Sequence, residues 1–382
     1  MEKSKNRESS RVVWLDVARL MAMFMVVCCH SADPFNFYPG GNPPPEIPLW
    51  GALWGSLLRP CVPLFVMITG ALMLPVREEA SIFYKKRITR VFFPFLIWSL
   101  IYALFPWLTG VLGLEPSVIL DFFAYGGDGI TRQGFDAGLE YIAQIPFTYP
   151  ETAVHMWYIY LLVGLYLYLP IFSAWVEKAS ERAKLWFLVA WGVTSLLPYY
   201  NEFVAQYLWG TCSWNAYGML YYFAGFNGYL LLGHYLRRHD WSKWQLLLYG
   251  VPMFVAGYLV TYFGFITMRD LENVTAEQFE LFWTYNSLNV IAMTIPCFML
   301  AKSVVVTSSR VVALLANLTK CGFGVYMVHF FLTGPAVMLV RALEIPIPLQ
   351  IPCAAVVAFA GSWLFTALVY KLVGDKARWF MG

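Results

Sequence analysis

Apolar runs of membrane-spanning length recur along this chain, and a run of that kind has few ways to fold, because lipid offers its backbone no hydrogen-bond partner. They read as residues 12–32, 50–74, 91–112, 155–176, 185–200, 218–236, 244–268, 281–301, 321–343 and 349–373, the fifth being short. Only helices or closed barrels satisfy their own backbone in a bilayer, and unbroken apolar runs without period-two alternation select helices. The expected fold is therefore all-α, a polytopic integral membrane protein of about ten spans. Composition agrees: 59% of the residues are hydrophobic, 13% are charged, and the mean hydropathy is +0.59. A water-facing surface would need far more charge.

The basic residues give the orientation, because Lys and Arg gather in cytoplasmic loops. They cluster at Lys3–Arg11, at 77–90, at 178–184, at 237–243, at 302–320 and at 371–378, which are alternate connections. Both termini are expected in the cytoplasm. One membrane domain spans residues 1–382, with a tail at 1–11, helices and loops at 12–373 and a second tail at 374–382. The first apolar run lacks a small-residue cleavage site, so it reads as a retained helix and not a signal peptide. The outer connections, around 34–48 and 115–151, are rich in Pro, Gly, aromatic and acidic residues, with a short helix expected around 138–145. They suit either a carbohydrate or an interfacial aromatic belt.

A formal charge of +3, dispersed among loops, excludes a nucleic-acid-binding class. The seven cysteines show no ligand spacing and read as small buried residues, with neither a disulfide nor a metal expected.

Ionisable groups inside the spans are the informative ones, since each costs roughly 2.5–3.5 kcal/mol to insert. Asp16 and Arg19 share a face of the first span and can neutralise one another. His30 lies on the same face, about 16 Å further along the helix. It is either a packing histidine or a working imidazole. Asp33 either fixes the tautomer of His30 or begins the outer loop. Arg87 and Arg90 form a compact basic face where the third span begins, suited to bidentate phosphate binding or to anchoring on anionic lipid. Arg59 precedes Pro60 and Pro63, and either pairs with backbone carbonyls that the prolines free or lines a cavity. His155, at the outer start of the fourth span, is either an acceptor-binding residue or a capping or interfacial one, while His329 is placed to pack into the same region. His234 and His239 read as surface or loop residues on the cytoplasmic side.

In WLDVARLMAMFMVVCCH, ten residues separate Arg19 from His30, and KKRITRVFFPFLIWS holds Arg87 and Arg90 ahead of an aromatic, proline-containing helix. These segments, with VPLFVMITGALML, HMWYIYLLVGLYLYLP, YYFAGFNGYLLLGHYL and GFGVYMVH in the same order, resemble the acyltransferase-3 family of bacterial membrane acyltransferases over nearly the whole chain. Within it, the VPLF segment and the stand-alone length resemble the branch that includes the enterobacterial common antigen O-acetyltransferase. The resemblance implies a multi-pass protein of the bacterial inner membrane. It would move an acyl group, most commonly acetyl from acetyl-CoA, to a hydroxyl of a surface polysaccharide or lipid-linked glycan. It also implies His30 as general base with Arg19 beside the donor, Arg87 and Arg90 on the CoA phosphates, Asp16 and Arg59 in supporting positions, Asp33 and His155 towards the acceptor, and no metal. The partners expected are acyl-CoA, the glycan acceptor and membrane lipid. A polysaccharide or lipid-linked-sugar exporter is the rival class, since buried charges among many helices are also a transporter's signature.

Overall fold

In the computed structural model, residues 12–36, 43–123, 128–271 and 273–382 are described. The expected tail at 1–11 and parts of both outer connections, 37–42 and 124–127, lie outside the described residues. Apart from one isolated bridge, Cys212 to Asn215, the described residues form helices and their connections.

In chain order the helices are α1 (Val13–Asn36), α2 (Glu46–Leu57), α3 (Cys61–Met73), α4 (Ala80–Val111), α5 (Ser117–Phe122), α6 (Phe135–Gln144), α7 (Trp157–Lys178), α8 (Glu181–Thr194), α9 (Leu197–Phe203), α10 (Asn227–Leu236), α11 (Lys243–Gln245), α12 (Val251–Arg269), α13 (Ala276–Phe279), α14 (Leu288–Ser303), α15 (Ser309–Ala342), α16 (Ile347–Val373) and α17 (Arg378–Met381). Seven helical stretches among them are long and apolar enough to cross a membrane: α1, α2 with α3, α4, α7 with the turn before it, α11 with α12, α15, and α16 with α17. The three other expected runs fold as shorter helices. Residues 185–200 divide between α8 and α9 where Pro198 enters the first turn of α9. Residues 218–236 hold a 3-10 turn and then α10, and 281–301 holds α14.

Local chemistry accounts for the breaks. Prolines at 43–45 precede α2, and Pro60 divides α2 from α3. Gly374, with φ +63°, ends α16 and turns residues 374–382 back towards α4 and α15, where α17 packs. The expected tail is thus part of the folded body. The expected outer helix is present as α6, packed on α4.

The helix α1 lies at the centre, against α2, α3, α14, α15 and α16. Its small residues Ala18, Ala22 and Ala32 are almost wholly buried, which allows close helix approach. Aromatic rings fill the core beside it: Tyr102 stacks on Phe331 at 4.1 Å, and its hydroxyl donates to the Met327 carbonyl at 2.8 Å.

Candidate active site

Two cavities lie along α1. The first, about 340 Å³, is lined by Arg19 of α1, Arg87 and Arg90 of α4, and by apolar and aromatic side chains of α3, α7 and α15. The structure therefore brings together three arginines from two distant motifs. Arg19 is held by Asp16, one turn earlier, at 3.4 Å. Asp16 is 3% exposed, so this pair neutralises a buried carboxylate and fixes a guanidinium at the cavity wall. Arg87 is half-buried, its guanidinium 5.9 Å from the Phe83 ring, and among the described residues its Nε has no hydrogen-bond partner. A largely apolar cavity that three arginines also line suits a phosphorylated ligand with a long, less polar arm.

The second cavity is small, about 20 Å³, and is lined by His30, His155, Cys29, Cys61 and several aromatic rings. Asp33 stands inside α1, which continues past Pro34 to Asn36, and does not begin the loop. Its Oδ2 lies 2.8 Å from His30 Nδ1. With Nδ1–H donated to this carboxylate, the other ring nitrogen is left to accept a proton, and an imidazolium formed there has a counter-charge waiting.

His155 is 1% exposed, so it is neither a cap nor an interfacial residue. Its ring lies 6.3 Å from that of His30 and 5.2 Å from that of His329, while His30 and His329 are 5.4 Å apart. Among the described residues, neither nitrogen of His155 has a hydrogen-bond partner. His329 Nδ1–H donates to the Tyr326 carbonyl at 2.7 Å, and among the described residues its Nε2 has no hydrogen-bond partner. Buried nitrogens without partners are costly, and here three imidazoles converge from α1, the turn before α7 and α15. Among the described residues, no group of three or more His, Cys, Asp or Glu is arranged to hold a metal ion.

Arg59 supports this region from outside. Its Nε donates to the Gly55 carbonyl at 3.0 Å, closing the C-terminal end of α2, and a terminal nitrogen lies 3.1 Å from Cys29 Sγ. The guanidinium sits 4.1 Å from the Trp283 ring centre. Gly55 is not one of the carbonyls that the prolines free, so the pairing is a helix cap. All seven cysteines are free, Cys29 and Cys61 being buried beside His30. His239 is exposed as expected, but His234 is buried, with Nδ1 3.0 Å from the Leu74 carbonyl, where it ties α10 to the end of α3.

Phe65, Tyr158 and Tyr326 line both cavities and form the partition between them. Tyr158 lies 6.1 Å from each of the other two rings, and the Tyr326 hydroxyl donates to the His155 carbonyl. Arg19, Arg87, Arg90, His30 and His155, singled out in the sequence, line the two cavities. The rings between them carried no signal, because an aromatic residue in an apolar helix reads as core.

No curated protein and no solved structure matches the chain. The acyltransferase-3 family model, described as an acyltransferase domain, matches residues 12–367. Both cavities, the arginines of the first and the histidines of the second lie within that match, and the chain belongs to the acyltransferase-3 family.

Proposed function

We propose that this membrane acyltransferase transfers an acyl group, acetyl in the first instance, from acyl-CoA to a hydroxyl of a surface polysaccharide or lipid-linked glycan. The observation that carries the reading is the alignment, along one helix, of a three-arginine cavity with a His30–Asp33 pair beyond an aromatic partition. Arg87 and Arg90 hold donor phosphates from the cytoplasmic side, and Arg19 guides the arm towards His30. His30 takes the proton of the acceptor hydroxyl as its oxygen attacks the thioester carbonyl. The carbon–sulfur bond then breaks, and the imidazolium returns the proton to the departing thiolate. Asp33 keeps the imidazole oriented and offsets its charge, while the unpartnered nitrogens of His155 and His329 receive other hydroxyls of the acceptor. The exporter reading leaves the His30–Asp33 pair without a task. The same reading keeps about ten spans and both termini in the cytoplasm, since α8 with α9, α10 and α14 are apolar and the basic clusters alternate.

The test is acyl transfer by the purified protein, with CoA binding measured in parallel. His30→Ala and His30→Gln are expected to lose transfer and keep CoA affinity, because the phosphates are held elsewhere. Replacing Arg87 and Arg90 together by Ala should raise the KM for acyl-CoA about tenfold or more, with partial rescue by Lys, which keeps charge but not the planar fork. Substantial transfer by a well-folded His30→Gln protein would return His30 to a packing role.

A further inference from the structure

Outside the two cavities already described, a third and larger one of about 550 Å³ lies where residues 374–382 fold back. Its wall is shared with the arginine cavity, because Arg90 lines both. The other cations on it are Lys320 of α15 and Arg378 of α17, facing one carboxylate, Asp375. Among the described residues, none of the three cations forms an ion pair. Lys320 Nζ lies 4.5 Å from the Tyr370 ring centre and the Arg378 guanidinium 5.7 Å from that of Trp379, so each rests on a ring.

The segment that makes this wall is built and not a loose end. Trp98 Nε1 donates to the Phe380 carbonyl at 2.8 Å, the Tyr370 hydroxyl donates to the Gly382 carbonyl at 2.9 Å, and Trp379 packs edge-on to Phe93 at 4.9 Å. Three cations facing a single side-chain carboxylate, beside two aromatic faces, are what a nucleotide needs, with guanidinium and ammonium groups for phosphate and rings for the base.

We infer that this third cavity binds the adenosine 3′-phosphate end of CoA, with Arg378 and Lys320 on the phosphate and Trp379 or Tyr370 against the adenine. The inference rests on the acyl-CoA reading above and adds where the far end of the donor sits. The diphosphate would then lie at Arg90, on the wall between the two cavities, and the arm would run inward past Arg19.

A fourth cavity, about 330 Å³, competes for the same role through Arg87, Arg77 and Arg237. Its one ring, Phe83, is 3% exposed, and Arg237 is committed to the Ala71 carbonyl. It offers charge but no face for a base. Phosphate on an anionic lipid headgroup has the same charge as a nucleotide phosphate, yet it has no use for a pair of rings, so the lipid is the alternative source to be separated by experiment.

The experiment measures binding of CoA and of dephospho-CoA, which lacks the 3′-phosphate, to the full-length protein in detergent, with and without added phosphatidylglycerol. Wild type is expected to prefer CoA by about tenfold. Arg378→Ala and Lys320→Ala should remove most of that preference by weakening CoA alone, while Trp379→Ala should weaken both ligands, and Arg77→Ala in the fourth cavity should change neither. Among the described residues the Arg378 side chain makes a ring contact and no hydrogen bond or ion pair, so its variant tests the site without threatening the fold. If wild type binds CoA but Arg378→Ala and Lys320→Ala keep its full preference, the third cavity is not the nucleotide site, whereas the acyl-CoA reading stands. Loss of phosphatidylglycerol binding in those variants with CoA preference intact would assign the cavity to lipid and likewise overturn the proposal. Absence of CoA binding by wild type would overturn both.

Discussion

At the scale of single residues, the chemistry rests on the pair His30 and Asp33, set 2.8 Å apart on consecutive turns of α1. Asp33→Asn preserves shape while removing the charge that favours a protonated imidazole, and an amide can present the wrong group to Nδ1. The expected outcome is a fall in kcat of roughly a hundredfold or more with the KM for acyl-CoA little changed, measured by steady-state transfer kinetics. A variant with near-normal kcat would reduce Asp33 to a helix-end residue. The sequence allowed this pairing but did not choose it, because Pro34 equally suited the end of a helix, and only the continuation of α1 to Asn36 decides the matter. The arginines were legible from the cost of burying charge. The meeting of His155 and His329 with His30 was not, because they reach it from elements far apart in the chain, and nothing in one sequence encodes that proximity.

At the scale of elements, α10 and α3 cross with their backbones almost touching. A methyl group at Gly70 would stand 1.9 Å from the Leu230 carbonyl oxygen, and one at Gly233 would stand 2.0 Å from that of Met67. Backbone cannot yield as a flexible side chain can. Gly70→Ala and Gly233→Ala are each expected to destabilise by about 1–3 kcal/mol, seen as a lower Tm of the detergent-purified protein. An unchanged Tm for both would mean that the helices do not approach so closely. This contact positions the site, since α3 carries Phe65 and the lining of the arginine cavity. Hydropathy located the long helices well, because twenty apolar residues have one good solution in lipid. It overestimated the length of helix in 185–200 and 218–236, where the runs are apolar but contain Pro198, Gly218 and Gly225, whose backbone preferences break a helix whatever the solvent.

At the scale of the whole molecule, the orientation proposed from the basic clusters makes a prediction: the segment between α4 and α7 should face outward over the histidine end. It is tied down there, Thr152 Oγ1 donating to the Tyr102 carbonyl at 2.8 Å. Phe147, 86% exposed, is a site for labelling. Phe147→Cys, in a background with Cys212→Ser, should react with an impermeant thiol reagent in intact cells, and reaction only after lysis would invert the topology. The partition of Phe65, Tyr158 and Tyr326 then acquires a meaning apart from substrate handling. An unbroken polar lining over the roughly 16 Å from Arg19 to His30 would let water and protons through about half of the membrane's hydrocarbon thickness and weaken its hold on the gradient on which the cell runs. On the proposed reading, three rings across that line would act as electrical insulation, so that an acyl group could be handed across while the membrane keeps its voltage.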